Sequence, residues 1–156
     1  MRVAALLLTL LLSACGWQLR GSGTDLALES VSLKGSTMEL RQPLRSYLGA
    51  ADVLVHDQAP SVIMILSERW QSRVVAVDSA GRALENEWRY DVQWQYQDRK
   101  GKALAPMRTL NLTGTATLNP DDALGSGDEN SRTQEQLRDD AARLIMQQLR
   151  FLDPAP

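Results

Sequence analysis

A long alternating stretch in the middle of the chain constrains the fold more than any other feature. Between positions 84 and 97 the apolar side chains occupy even positions and the polar ones occupy odd positions, and only Asn86 breaks the even series. The even series is Leu84, Trp88, Tyr90, Val92, Trp94 and Tyr96. A two-residue period over this length predicts a β-strand with one buried and one exposed face. The rest of the chain must supply neighbouring strands and a cover for the apolar face.

The flanking segments predict two neighbouring strands. Turn residues at Ser79–Gly81 and Asp98–Lys102 bracket the alternating stretch. Upstream, residues 62–77 predict either one long strand or two segments broken near Trp70. Downstream, residues 109–118 alternate again, with leucines and alanine on one side and threonines on the other. The three strands should form an antiparallel meander.

A first strand and a first helix precede the meander. Leu28–Leu33 alternates and predicts a short strand. Ser36 and Glu39 have the spacing of a capping box, and an apolar stripe follows. That stripe is Leu40, Leu44 and Leu48. Pro43 requires that the helix either begin later, with proline in its first turn, or be kinked.

A second helix closes the chain. Asn119–Asp122 ends the last strand, because proline cannot donate to a ladder and the other residues favour turns. Asp121–Asn130 is predicted to be an acidic, glycine-containing loop. Ser131 and Gln134 repeat the capping-box spacing. The apolar residues that follow recur at helical intervals: Leu137, Ala141, Leu144, Ile145, Leu149 and Leu152.

This order predicts an α+β two-layer sandwich, in which two helices cover one face of a four-stranded, mostly antiparallel sheet. The other face stays exposed. It carries neutral hydrogen-bonding groups: Gln93, Gln95, Gln97, Thr109, Asn111, Thr113, Thr115 and Thr117. Such a surface could pack against a second polar wall at a low desolvation cost. The simpler alternative is an ordinary soluble strand surface rich in good β-formers.

The N-terminus predicts a lipoprotein. Arg2, the short apolar run Val3–Leu12 and the small residues Ser13 and Ala14 have the order of a secretory signal peptide. Leu12 to Cys15 resembles a bacterial lipobox. In a lipobox the cysteine sulfur is acylated, and cleavage before the cysteine leaves it as the first residue of the mature chain. We therefore expect residues 1–14 to be a signal peptide, residues 15–24 an acylated cysteine with a flexible spacer, and residues 25–153 a single domain. Gly16 in place of aspartate favours transfer to the outer membrane.

Little in the sequence indicates catalysis. Cys15 is the only cysteine, so it cannot form an intramolecular disulfide or a CxxC redox pair. His56 is the only histidine, and its loop position next to Asp57 favours a solvated role. We predict no enzyme activity, no metal and no cofactor besides the lipid on Cys15. The net charge of -2 gives no attraction to nucleic acid.

Arginines are concentrated in the strand region. Residues 69–108 carry a net charge of +3, since eight basic side chains outnumber five acidic ones there. Arginine binds phosphate bidentately, so several at strand ends could hold a phosphorylated lipid headgroup. Alternatively, these charges only protect a solvated sheet edge from aggregation.

Cys15–Gly21, with the sequence CGWQLRG, is similar to the mature start of the LptE family of lipopolysaccharide-assembly lipoproteins. The order of strands and helices resembles that family over nearly the whole mature chain. The resemblance implies a protein that sits inside the outer-membrane β-barrel translocon LptD, assists its assembly and binds lipopolysaccharide on its way to the cell surface. It also makes Arg73, Arg82 and Arg89 candidates for the lipopolysaccharide phosphates.

The chain departs from the family where some members carry a basic residue after the last strand, because Ala123–Asp128 contains none. Two other classes stay open. An envelope lipoprotein could bind another ligand or assembly machine, and a periplasmic hydrolase would depend on His56 or a carboxylate pair.

Overall fold

The computed structural model describes residues 28–152, and the predicted signal peptide, Cys15 and the spacer lie outside that range. The elements follow in the order β1 (Ser30–Lys34), α1 (Met38–Ala50), β2 (Leu54–Val55), β3 (Ser61–Val77), β4 (Ala83–Asp98), β5 (Arg108–Thr117) and α2 (Ala123–Arg150). Within this range neither helix combines the length and the apolar character needed to cross a membrane.

The α+β class with two helices is confirmed, but the predicted four-stranded sheet is wrong. The sheet has five strands in the order β2-β1-β3-β4-β5. β3, β4 and β5 form the predicted antiparallel meander, whereas β1 is parallel to both β2 and β3. Connections through α1 return the chain to the starting end of β1, which makes those pairings parallel. β2 was missed because two residues, Leu54 and Val55, are too few to show a period.

β3 is one strand with a bulge, which resolves the alternatives left by its sequence. The register shifts between Ile65 and Ser67, so that Leu66 has no partner on β4. Ile63 and Ile65 lie opposite Tyr96 and Trp94 and are buried with them. One extra residue reverses the alternation, because side-chain direction has a period of two. The inward positions after the bulge are therefore even-numbered.

Both helices pack on one face of the sheet and build the core there. Three leucines of α1, at positions 40, 44 and 48, are fully buried. α2 adds Leu137, Ala141, Ala142, Ile145, Met146 and Leu149. Each large apolar side chain buried in this layer contributes about 1.5–3 kcal/mol. Gly114 lets α2 approach β5, since a Cβ atom there would lie 3.1 Å from Thr133 Cγ2.

The N-cap of α1 lies one residue later than predicted. Thr37, not Ser36, is the N-cap, and its hydroxyl accepts a hydrogen bond from the Leu40 N–H at 3.4 Å. The Thr37 N–H donates to Glu68 Oε1 at 2.7 Å, so a carboxylate from β3 replaces the predicted Glu39. Pro43 lies inside the helix, which excludes a start with proline in the first turn.

The predicted loop at Asp121–Asn130 is wrong, because α2 begins at Ala123. Asp122 caps it by accepting the Gly125 N–H at 2.9 Å. About two turns after the cap, Asn130 Oδ1 accepts a hydrogen bond from Trp88 Nε1 at 2.7 Å. The cap and this contact with β4 outweigh the poor helix propensity of the glycines in the first turns.

Candidate binding face

The sheet face opposite the helices is the candidate site, and we call it the polar face. Its members come from the three meander strands: Ser67, Arg69, Gln71, Arg73, Glu87, Arg89, Asp91, Gln93, Thr109, Asn111, Thr113 and Thr115. Arg89 is the central position, since it pairs with Gln71 on one side and Thr113 on the other. All four β5 members are exposed. The polar face is therefore left uncovered by the helices.

The centre of the polar face is charged, but its charges are paired. Arg73 Nε lies 2.8 Å from Glu87 Oε1, and Arg89 Nε lies 3.0 Å from Asp91 Oδ1. Glu87 raises the pKa of Arg73 by accepting its hydrogen bond. The Asn111 amide, which donates to Asp91 Oδ1 at 2.6 Å, and then Arg89 hold the pKa of Asp91 below its ordinary value. Apart from Arg69, which forms no ion pair with residues 28–152, the face presents neutral groups and neutralised pairs.

A groove crosses the polar face at this charged centre. It has a volume of about 820 Å³ and is open to solvent. Its lining consists of Gln71, Ser72, Arg73, Glu87, Arg89 and Thr113. Two of the three arginines predicted to contact phosphate, Arg73 and Arg89, are thus brought together by the register of β3 and β4.

Arg82, the third predicted arginine, lies elsewhere. It belongs to the β3–β4 turn, where it contacts Asp78 Oδ2 at 2.7 Å and Asp121 Oδ1 at 2.8 Å. Hydrogen bonds from the backbone N–H and then the side chain of Arg82 lower the pKa of Asp78. Arg82 therefore ties the turn to the start of α2 and does not line the groove.

The polar face is narrower at its other end than the sequence predicts. Gln95 and Gln97 are half-buried there, because the β4–β5 loop returns alongside them. Gln95 Nε2 donates to the Ala105 carbonyl at 3.4 Å, and Gln97 Nε2 donates to Gln95 Oε1 at 2.8 Å. The side chains of these two glutamines form hydrogen bonds within the domain itself, while the threonines of β5 remain exposed to a partner.

The carboxylates that neutralise the groove were missed by sequence reasoning. Glu87 and Asp91 belong to the exposed side of an alternating strand, which was the only signal available. Their pairing with Arg73 and Arg89 depends on the strand register and on local rotamers. Regular pairing counted from the turn puts Arg73 opposite residue 87, as observed, because the two register shifts between Val74 and Val77 offset each other. The pairing of Arg89 with Asp91 on its own strand could not be counted in this way.

The remaining candidates lie away from the groove. His56 is exposed in the connection between β2 and β3, consistent with a solvated position. Residues 28–152 contain no cluster of three or more histidine, aspartate or glutamate side chains arranged to bind a metal. Cys15 falls outside the described part of the chain.

Comparisons with solved structures give the same fold from several bacteria. A minor lipoprotein from Acinetobacter baumannii superposes with a TM-score of 0.66 at 24% identity, over 81% of this chain and 93% of the other. Lipoprotein B from Nitrosomonas europaea gives 0.67 at 22%, over 86% and 90%. Rare lipoprotein B from Shewanella oneidensis gives 0.65 at 22%, over 77% and 92%. At these identities the likeness establishes the fold.

Among curated protein sequences there is no significant match. The family model described as LptE, lipopolysaccharide-assembly, matches residues 27–149, which include every helix and strand except the last residue of α2. The N-terminal CGWQLRG motif lies outside the matched region and resembles the same family. The chain belongs to the LptE family of lipopolysaccharide-assembly lipoproteins.

Proposed function

We propose that this protein is an outer-membrane lipoprotein, acylated on Cys15, that occupies the lumen of the LptD β-barrel, assists its assembly and binds lipopolysaccharide in transit. The observation that supports this most is the uncovered polar face. Its neutral groups and paired charges lose less on leaving water than isolated charges would. The inner wall of an outer-membrane barrel is itself polar, so the two surfaces can exchange hydrogen bonds.

The groove supplies a second element of the proposal. Arg73 and Arg89 each use Nε for the neighbouring carboxylate, and their terminal nitrogens form no hydrogen bond with any residue from 28 to 152. The Arg73 side chain is 72% exposed. Those terminal nitrogens can donate to a phosphate while the carboxylates keep the guanidinium planes in place. We propose this pair as the contact for a lipopolysaccharide phosphate.

Copurification tests the barrel contact. The native acylated protein should be recovered from mild detergent with a large barrel partner. Thr113→Glu combined with Thr115→Glu adds two negative charges to the polar face and should greatly reduce that recovery. Gln136→Glu combined with Gln147→Glu adds the same charge to the exposed side of α2; this matched control should leave recovery unchanged. Equal recovery of all three proteins would contradict barrel binding through this face.

Lipopolysaccharide binding tests the groove separately. Arg73→Gln with Arg89→Gln should weaken binding about tenfold or more, because each lost charge-assisted hydrogen bond contributes about 1.5–3 kcal/mol when fully desolvated and less here. Arg132→Gln with Arg143→Gln serves as the control, since these arginines are also exposed and are also paired with carboxylates, Glu129 and Asp140. If the double variant in the groove binds as the parent does, the groove is not the phosphate site.

A further inference from the structure

The β4–β5 loop carries the densest group of unpaired cations in the described chain. We define the basic loop as residues 99–108, which are the β4–β5 connection and the first residue of β5, and which contain Arg99, Lys100, Lys102 and Arg108. None of these four side chains forms an ion pair with any residue between 28 and 152. Asp98, the adjacent acid, instead accepts the backbone N–H groups of Lys100 and Lys102, both at 2.8 Å. The basic loop therefore differs from the polar face, where the arginines of the groove are neutralised.

Apolar side chains project from the same loop. Leu104 is 42% exposed and Met107 is 52% exposed. The loop backbone is fixed, since the Leu104 N–H donates to the Tyr96 carbonyl at 2.9 Å and Ala105 is buried in the core. Cations surrounding exposed apolar side chains on a held backbone are typical of segments that bind the surface of an anionic membrane.

The basic loop also lies near the end of the sheet where the described chain begins. Ser30, at the start of β1, accepts a hydrogen bond from Ser61 Oγ at 3.3 Å. The residue before Ser61, Pro60, accepts the N–H of Arg99 at 2.9 Å. Cys15 precedes Leu28 by 13 residues in the sequence, which span at most about 45 Å when fully extended. An acylated Cys15 would thus keep this end of the domain within reach of the bilayer.

We propose that the basic loop docks on the anionic phospholipid headgroups of the bilayer that holds the acyl chains of Cys15. Arg99, Lys100 and Lys102 contact the headgroups, and Met107 enters the interface beside them. The acyl chains fix where the protein is, and the loop fixes which way the domain faces. The opposite end, with Arg82 and Leu124, is then the end of the domain farther from these headgroups. The inference uses the proposed acylation of Cys15 but not the barrel partner.

Depth measurements on the acylated protein test this orientation. Acylation consumes the only native thiol, so Met107→Cys provides a single site for an environment-sensitive fluorophore. In vesicles of equimolar phosphatidylethanolamine and phosphatidylglycerol, this label should shift to the blue and be quenched by spin-labelled lipid. Leu124→Cys is the matched control, because Leu124 is 86% exposed at the far end of the domain. Identical spectra and quenching at the two sites would overturn the proposal.

Vesicle partitioning of the mature Cys15→Ser protein tests the charge contribution without the anchor. Each basic side chain near an anionic surface strengthens binding about fivefold, so Arg99→Gln, Lys100→Gln and Lys102→Gln together should weaken it about a hundredfold. Binding should also fall with added salt and be weak on phosphatidylcholine vesicles. The triple change at Arg45, Arg132 and Arg143 to glutamine controls for net charge. If both triple variants lost the same amount of vesicle binding, or if the protein bound only lipopolysaccharide aggregates, phospholipid would not be the ligand. This conclusion would hold whatever the copurification with a barrel showed.

Discussion

The two halves of β3 both carry a run of apolar and β-branched residues, yet they lie in opposite surroundings. The proximal half, Ser61–Ile65, is buried except for the half-buried Met64. The distal half, Gln71–Val77, is exposed except for the half-buried Ala76, and Val74, Val75 and Val77 are 54%, 44% and 56% exposed. Both contain runs of β-branched and apolar residues that favour a strand. The local preference for a β-strand is therefore alike in the two halves, whereas their burial differs.

The difference arises from what lies beside each half. β1 pairs with β3 only over Val62–Met64, so the distal half has β4 on one edge and no strand of the described chain on the other. α1 begins at the level of Glu68, whose carboxylate caps it. The proximal half therefore contributes to the core, whereas the distal half is an extension held by β4 alone. Exposed valines on an open edge are a surface available to another molecule.

Between the halves lies a polar and aromatic junction. Trp70 stacks on Tyr90 with ring centroids 4.0 Å apart, and Arg138 of α2 lies 5.1 Å from the centre of the Trp70 ring. Tyr90 Oη donates to Glu68 Oε2 at 2.6 Å. Glu68 thus connects β4 to the first turn of α1 through the Thr37 hydrogen bonds. This junction marks the point at which the helical cover of β3 ends.

Alanine substitution in each half provides the largest expected contrast. Ile63→Ala removes a fully buried side chain and should lower the free energy of unfolding by about 2–5 kcal/mol. Val75→Ala should cost less than about 1 kcal/mol, since only strand preference and partial burial are lost. Urea denaturation of the two variants measures both values. Equal costs would mean that the distal half is as well packed as the core, contrary to the comparison.

The sequence predicted those parts of the fold in which one strand or helix has one buried face. β4 and β5 alternate because the helices cover one side and solvent the other, and the leucines of α1 recur for the same reason. β2 could not be predicted from two residues. The start of α2 could not be predicted either, because Asp122 and Asn130 stabilise it through contacts that depend on the fold.

The candidate site was predictable in outline and not in detail. The threonines and asparagine of β5 were placed on the exposed face from their spacing alone. Arg73 and Arg89 meet in one groove because the β3–β4 register brings them together, whereas Arg82 is 39 residues from its partner Asp121. The pairing that neutralises these arginines, and the absence of pairing in the basic loop, emerge only from the folded structure.

The junction predicts an intermediate effect. Tyr90→Phe removes the hydroxyl that donates to Glu68, and should lower the free energy of unfolding by about 1–2 kcal/mol near neutral pH. Tyr96→Phe is the control, because its hydroxyl forms no hydrogen bond with a side chain or backbone group of residues 28–152. If both variants lose the same stability, the bond to Glu68 does not hold the junction.

The same variant has a pH dependence of known sign. Burial, and then the hydrogen bond to Glu68, raise the pKa of Tyr90 above its ordinary value. The neutral tyrosine therefore makes its full contribution to stability below the tyrosine pKa in the unfolded chain, about 10. That contribution is lost as the pH rises above this value. The parent should lose more stability than Tyr90→Phe between about pH 10 and 11. Parallel alkaline curves, measured by urea denaturation at each pH, would contradict this assignment.

The smallest expected effect lies at the tip of the distal extension, where Asp78 accepts three hydrogen bonds across the β3–β4 turn. Its carboxylate accepts the N–H groups of Ala80 and Arg82 at 2.9 and 2.8 Å and the Arg82 side chain at 2.7 Å. These contacts lower its pKa, so its contribution to stability is present above the ordinary aspartate value of about 3.9 and is lost as the pH falls below it.

Asp78→Asn should thus reduce stability less than Tyr90→Phe at neutral pH and flatten the acid limb of the curve of stability against pH. Asp57→Asn, in an exposed loop, should leave that limb unchanged. A large global loss from Asp78→Asn would show that the tip is coupled to the core, and the distal half would then be a folded part of the domain rather than an extension held by one neighbour.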